Sequence, residues 1–81
     1  MMPSQEQEVA VTTDLMDVFR ERYGEPPYLH YTKNLNPSPL QEIATRNNVS
    51  LHFVRKCRSA LMHIGLFMNA VMENNPNLLV E

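Results

Sequence analysis

Hydrogen-bond donors recur at helical spacing after Ser50, and they are the side chains of this sequence best suited to contact a ligand. The set is His52, Arg55, Lys56 and Ser59. At 3.6 residues per turn, these positions share one side of a helix. An Arg or Lys there can donate to O6 and N7 of guanine, and the flanking Arg46 and Arg58 suit phosphate oxygens. The spacing therefore indicates a surface for double-stranded DNA, and an ordinary solvated helix face is the alternative.

The same stretch has an apolar side that would anchor this surface to a core. Its members are Val54, Cys57, Leu61 and Ile64. Ser50 is suited to cap the helix and Gly65 predicts its end, so we expect a helix over 51–64. Ser50, Leu51 and His52 would form the first turn, which reaches base edges in helix-turn-helix proteins. Leu51 could there contact a thymine methyl group.

A shorter helix precedes this one. It begins with a capping box that has Pro at the first helical position: Ser38, Pro39, Leu40 and Gln41. Its apolar face consists of Leu40, Ile43 and Ala44. Asn47 and Asn48 predict its end, since Asn tolerates a left-handed backbone, and Asn47 is expected to fray. With small Ala44 at the crossing, 38–64 is a predicted helix-turn-helix.

Several short motifs occur here in a recognisable order. They are Ile43-Ala44, Val49-Ser50, Val54-Arg55, Leu61 and Gly65-Leu66-Phe67. This order resembles the winged-helix head domains of GntR-type bacterial transcriptional regulators. The resemblance covers about 30 of the 81 residues at motif level. It implies a mainly α fold with a small β-hairpin, a winged helix-turn-helix of three helices plus a wing. It also implies DNA contact by Arg55, which falls on the Arg of the family's Val-Arg pair.

The wing is expected in the last segment, 65–81. We predict strands at 66–72 and 77–80 around a turn rich in Asn and Pro. A third short helix over 67–72 is the alternative, because Met and Ala are good helix formers. The segment has no Lys or Arg and carries Glu73, which departs from the basic wings of that family.

The chain before the motif divides into a helix and a connecting segment. Ser4 begins a second capping box and Gly24 predicts a stop, giving a first helix over 4–23 whose start could fall as late as Asp14. Its expected apolar stripe is Val9, Met16, Phe19 and Tyr23. The segment 24–37 is rich in Pro and is either a linker or a short strand at 28–32.

Charge is distributed unevenly, although the net charge of the chain is only −2. Residues 1–27 carry a net charge of −4 and residues 61–81 a net charge of −2. Residues 28–60 carry a net charge of +4, so the positive charge is confined to the helix-turn-helix and the segment before it. Attraction of phosphate depends on this local field rather than on the total charge.

Other kinds of site find little support in the sequence. The three His residues and the single Cys do not have zinc-ligand spacing, and Cys57 lies on the expected buried stripe. There is no glycine-rich phosphate loop and no Ser-His-Asp set, so we predict no enzyme, metal, cofactor or small-molecule ligand. One cysteine, no apolar run near ~20 residues and no signal peptide predict a cytoplasmic protein away from membranes.

The sequence therefore predicts one 81-residue domain that binds double-stranded DNA in a sequence-specific manner. A small transcriptional regulator, or a protein controlling plasmid or phage replication or partition, is the expected role. A homodimer is expected because one recognition helix gives little affinity, with Val9 and Met16, or Met68 and Met72, as candidate interfaces. The alternative is a winged-helix module that binds another protein and no DNA.

Overall fold

The computed structural model describes residues 2–75 and 77 of the chain. Within them lie an α-helix α1 (Gln5–Tyr23), a 3-10 helix η1 (Pro27–His30) and two further α-helices, α2 (Pro37–Arg46) and α3 (Leu51–Asn74). The described part of the chain contains no strand, so the architecture is all-α. None of these helices is long and apolar enough to cross a membrane.

The limits of α1 are those that the sequence predicts. The Ser4 hydroxyl accepts a hydrogen bond from the Gln7 backbone N–H at 3.1 Å, and the Ser4 N–H donates to Gln7 Oε1 at 2.8 Å. This closes the predicted capping box and fixes the start of the helix at its early limit. Gly24 ends the helix with a φ of 93°, a backbone conformation that suits Gly, and its N–H donates to the Arg20 carbonyl.

The start of α2 differs from the prediction. The helix begins at Pro37, and its N-cap is Asn36, whose side chain makes no capping hydrogen bond. The predicted capping box at Ser38 is therefore wrong. Two prolines, Pro37 and Pro39, lie in the first turn, where a missing N–H costs nothing because those groups have no partner within the helix.

The wing is the largest error of the sequence prediction, because α3 continues through Gly65 to Asn74 and 66–72 is helical. Gly65 is buried, and a Cβ at this position would lie 2.8 Å from Tyr31 Cβ. Gly therefore permits close packing of α3 on the chain after η1, rather than ending the helix. Asn69 Nδ2 reinforces the contact by donating to the Gly65 and Leu29 carbonyls, at 2.8 and 3.3 Å. Of the second predicted strand, 77–80, all but residue 77 lies outside the described residues.

Of the two alternatives for 24–37, the short strand at 28–32 is wrong, because this segment contains the 3-10 helix η1 and no strand. Pro27 opens η1, and the fixed φ of Pro suits a helical first turn. Tyr31 follows η1 and is buried, with its ring 5.1 Å from that of Phe19, centroid to centroid, in an edge-to-face arrangement. The aromatic residues of this segment serve packing on α1 rather than strand pairing.

The core lies where α1, α2 and α3 meet. Its largest fully buried side chains are Phe19, Leu15, Ile43, Val11 and Val54. Val9 is 60% exposed, because the buried side of α1 repeats at positions 11, 15 and 19 and Val9 points to another side. Ile64 is 48% exposed, because the buried side of α3 passes from Leu61 to Gly65 instead. Both residues were expected on buried stripes, and both expectations are wrong.

Candidate nucleic-acid interface

The turn between α2 and α3 fixes where the N-terminal half of α3 points. The Val49 N–H donates to the Ala44 carbonyl at 3.0 Å, and Asn48 adopts the left-handed φ of 54° expected for an Asn at this position. Ser50 then caps α3 as predicted, its hydroxyl accepting from the Phe53 N–H at 3.0 Å. Ala44 is buried, so α2 and α3 pack closely with four residues between them.

Four of the predicted contact residues lie together on the exposed side of α3. We call His52, Arg55, Lys56 and Ser59 the basic face; all four are exposed. Val54, Cys57 and Leu61 are buried on the opposite side of the helix. Leu51 is half-buried and packs against the core, so it is poorly placed for the predicted thymine contact, whereas Ser50 is exposed at the helix start.

Asn47 has a structural role that the sequence did not suggest. Its Nδ2 donates to Asp14 Oδ2 and to the Ile43 carbonyl, each at 2.9 Å. The Asn47 carbonyl accepts from Gln7 Nε2 at 3.2 Å. The expectation that Asn47 frays the end of α2 is wrong, because these bonds tie the turn to α1 at two places.

Arg46 does not lie on the basic face. Its Nη1 is 3.3 Å from Asp14 Oδ2, and the Asp14 side chain is only 22% exposed. The Arg46 side chain itself is 61% exposed, so the pair is a weak one, and the sequence could not indicate it because the two residues are 32 positions apart. Contact between Arg46 and a phosphate stays a prediction, in which the phosphate would compete with Asp14.

Arg58 lies at the edge of the basic face, next to Lys33, which is not one of the predicted contact residues. Arg58 Nη2 is 3.5 Å from the Lys33 carbonyl oxygen, and the residue is half-buried. Lys33 is exposed, with its Nζ 4.9 Å from the centre of the Tyr23 ring. We call Arg58 and Lys33 the basic flank. The only sequence signal for Lys33 was its place in the positive segment 28–60.

The exposed acidic residues of α1 make no ion pair with this surface. α1 packs on the buried side of α3, so the bundle separates the exposed acids of α1 from the basic face. Asp17 of α1 and Glu25, which follows α1, pair with Arg20 at 2.9 and 2.6 Å. Within residues 2–75, no ion pair joins the basic face or the basic flank to a carboxylate. The positive charge of this surface is therefore available to an anionic ligand.

The described residues offer little for nucleophilic catalysis or metal binding. Burial raises the pKa of the Cys57 thiol, with a smaller opposing effect of a hydrogen bond to Thr12, so the thiol is a poor nucleophile. In the described residues, no three His, Cys, Asp or Glu side chains form a group that could hold a metal ion. Burial also lowers the pKa of His30, with Lys33 as a second cause.

Comparisons with known proteins found no matching family model, no matching curated protein and no matching solved structure.

Proposed function

We propose that this protein binds double-stranded DNA as a homodimer, with the N-terminal half of α3 in the major groove. The observation that carries the proposal is the basic face together with the basic flank. Arg55, Lys56 and Lys33 are exposed and Arg58 is half-buried, and none of them has a carboxylate partner among residues 2–75. Sequence-specific binding would make the protein a small regulator of transcription, or of plasmid or phage replication or partition, working in the cytoplasm.

The dimensions of the basic face fit a major groove. An α-helix with its side chains is about 10–12 Å across, and the groove is about 12 Å wide, so the N-terminal half of α3 could enter it. Arg55 and Lys56 would donate to guanine, and His52, Ser59 and Ser50 would contact neighbouring bases or sugars. Arg58 and Lys33 on the basic flank suit phosphates, which fix orientation without reading sequence.

The salt dependence of binding tests this assignment. Four cations on phosphates or bases would give a slope of log K against log salt of roughly −3 to −4 per subunit. We expect this slope by fluorescence anisotropy on a mixed-sequence duplex between about 50 and 200 mM salt. Arg55→Ala and Lys56→Ala should each weaken binding and flatten the slope by up to about one unit.

Arg22→Ala is the matched control, because Arg22 is an exposed cation on α1 and its loss changes the net charge equally. It should leave the slope unchanged, and Arg46→Ala should flatten it less than Arg55→Ala does, since Asp14 competes with a phosphate for Arg46. No duplex binding at ~50 mM salt, or equal effects of Arg22→Ala and Arg55→Ala, would refute the proposal. A module that binds another protein would then be the better interpretation of the helix-turn-helix.

A further inference from the structure

His30 lies beside the basic flank, although it takes no part in the proposed DNA contact. The Lys33 N–H donates to the His30 carbonyl at 2.9 Å. Both side chains lie near the ring of Tyr23, whose centre is 5.8 Å from the centre of the His30 ring and 4.9 Å from Lys33 Nζ. Because both distances end at the same point, the imidazole and the ammonium group lie within about 11 Å of each other. This is close to the Debye length of about 10 Å at 0.1 M salt, so a charge on His30 would act on the charge of Lys33.

The surroundings of His30 oppose a positive charge on its ring. The residue is half-buried, and its Nδ1 is buried without a hydrogen-bond partner among the described residues. Burial lowers the pKa of His30, and the charge of Lys33 lowers it further. His30 is therefore mainly neutral near pH 7, next to a lysine that is charged.

The first helix that packs against η1 supplies no carboxylate to pair with His30. Tyr23 of α1 faces the His30 ring, and Arg20 lies about one turn earlier on the same helix. Arg20 pairs with Asp17 and with Glu25, the residue that follows Gly24. These two carboxylates are therefore engaged by an arginine.

The second helix that packs against η1 brings a further positive charge. Arg58 of α3 lies 3.5 Å from the Lys33 carbonyl oxygen, through Nη2. Residues 59–72 of α3 contain no Asp, Glu, Lys or Arg, and His63 among them is exposed. Glu73 is exposed and makes no ion pair with His30. His30 thus has two cationic neighbours in the basic flank, and no carboxylate of residues 2–75 is paired with it.

We propose that the proton on His30 is coupled to DNA contact by the basic flank, so that the complex takes up a proton at His30 and is stronger at lower pH. The proposal rests on the proposed function. A phosphate at Lys33 would offset the charge that opposes protonation of His30, and its own negative charge would favour the imidazolium form. Both effects have the same sign. Since linkage is reciprocal, a ligand that favours the proton is itself favoured by the proton.

The size of the effect has an upper limit. Uptake of one proton can raise the affinity by at most about tenfold per pH unit. His52 on the basic face would also gain a proton near DNA, so its contribution has to be subtracted. His30→Asn is the matched variant for this purpose, because it retains His52 and keeps a polar side chain at position 30.

Titration of the imidazole resonances by NMR tests the coupling without DNA. The chain has three His residues, and His30→Asn identifies the His30 signal by its loss. In the full chain at ~10 mM salt, Lys33→Met should raise the pKa of His30, because it removes a nearby positive charge. Lys56→Met is the matched control, since it removes the same charge from the basic face and should leave that pKa nearly unchanged. An unchanged pKa in Lys33→Met, or equal changes in both variants, would overturn the proposal.

The same titration with a saturating mixed-sequence duplex tests the coupling to DNA. We expect DNA to raise the pKa of His30 in the wild type and to raise it less in Lys33→Met. In parallel, the association constant of the wild type should increase more than that of His30→Asn between pH 7.5 and 6, by less than about tenfold per pH unit.

The possible failures of this experiment have different meanings. Binding of the duplex with no rise in the pKa of His30, or with equal rises with and without Lys33, would overturn the coupling and leave the proposed function standing. If the wild type binds no duplex, the proposed function and the coupling to DNA are both refuted. The repulsion between His30 and Lys33 would still have been measured in the protein alone.

Discussion

Replacing Gly65 by Ala tests whether close packing between α3 and the chain after η1 explains why this Gly lies inside a helix. An added Cβ would lie 2.8 Å from Tyr31 Cβ and 3.3 Å from both Thr32 Cγ2 and the Thr32 backbone N. Rotation of χ1 could move Thr32 Cγ2, but Tyr31 Cβ and the Thr32 N are fixed by the backbone, so a side-chain rotation cannot relieve the shortest contact. Overpacking of this kind costs about 1–3 kcal/mol of unfolding free energy, and the upper part of that range applies to a contact this short.

The helix itself favours Ala over Gly by about 1 kcal/mol, which opposes the overpacking. We therefore expect Gly65→Ala to lower the free energy of unfolding by about 1–2 kcal/mol, the difference between the two effects. Urea denaturation followed by far-UV circular dichroism measures this change. In a domain of this size, each 1 kcal/mol corresponds to a decrease in Tm of about 4–8 °C.

Ala70→Gly supplies the control, because Ala70 is exposed on the same helix and its replacement isolates the intrinsic cost of Gly in α3. Its expected cost is about 1 kcal/mol. If Gly65→Ala were instead to stabilise the protein by as much as Ala70→Gly destabilises it, Gly65 would face open space. The packing explanation for the continuous α3 would then be wrong.

Two further contacts, of Asn47 and Ser50, and the titration of His30 can be tested by denaturation. Asn47→Ala should cost about 1–3 kcal/mol in urea denaturation, because it removes both donated hydrogen bonds and leaves Asp14 with fewer partners. Ser50→Ala should lower the free energy of unfolding by about 1 kcal/mol, because the Ser50 side chain caps α3. Ser38→Ala should be nearly neutral, because the Ser38 side chain does not cap α2. Stability should fall as the pH falls below about 6.5, because the unfolded chain then binds a proton that the lowered pKa of His30 resists in the folded state. Chemical denaturation from pH 7.5 to 5 should show a shallower decline for His30→Asn, and an unchanged decline would assign the effect to other groups.

Local signals made the starts of α1 and α3, and the turn before α3, predictable. Ser4 and Ser50 cap helices through bonds to residues three positions away, and Asn48 takes the left-handed conformation that its side chain tolerates. The exposed placement of Arg55 and Lys56 follows from the same helical period that buries Val54. These features depend on neighbours in sequence, so the sequence carried enough information to predict them.

The errors have a common origin in distant partners. Whether Gly65 ends a helix or admits a neighbour depends on Tyr31, which lies 34 positions earlier in the chain. Likewise, the availability of Arg46 depends on Asp14, and the order of Asn47 depends on Asp14 and Gln7. A Gly followed by Leu and Phe is compatible with both outcomes, so local propensity could not exclude the wing. Tertiary packing of α3 on η1 and on the residues that follow η1 determines that the helix continues through Gly65 instead of ending there.

The continuity of α3 from Leu51 to Asn74 has a consequence for how this chain can vary. The residues that bury this helix, Val54, Cys57, Leu61 and Gly65, lie on one side of it over about three turns. One inserted residue between Cys57 and Leu61 would turn Leu61 and Gly65 by about 100° relative to Val54 and Cys57, so the two halves of α3 could no longer face the core together. An insertion of seven residues, about two turns, would restore the angular relation. Insertions of a single residue in the middle of this helix should therefore be tolerated less well than insertions of seven.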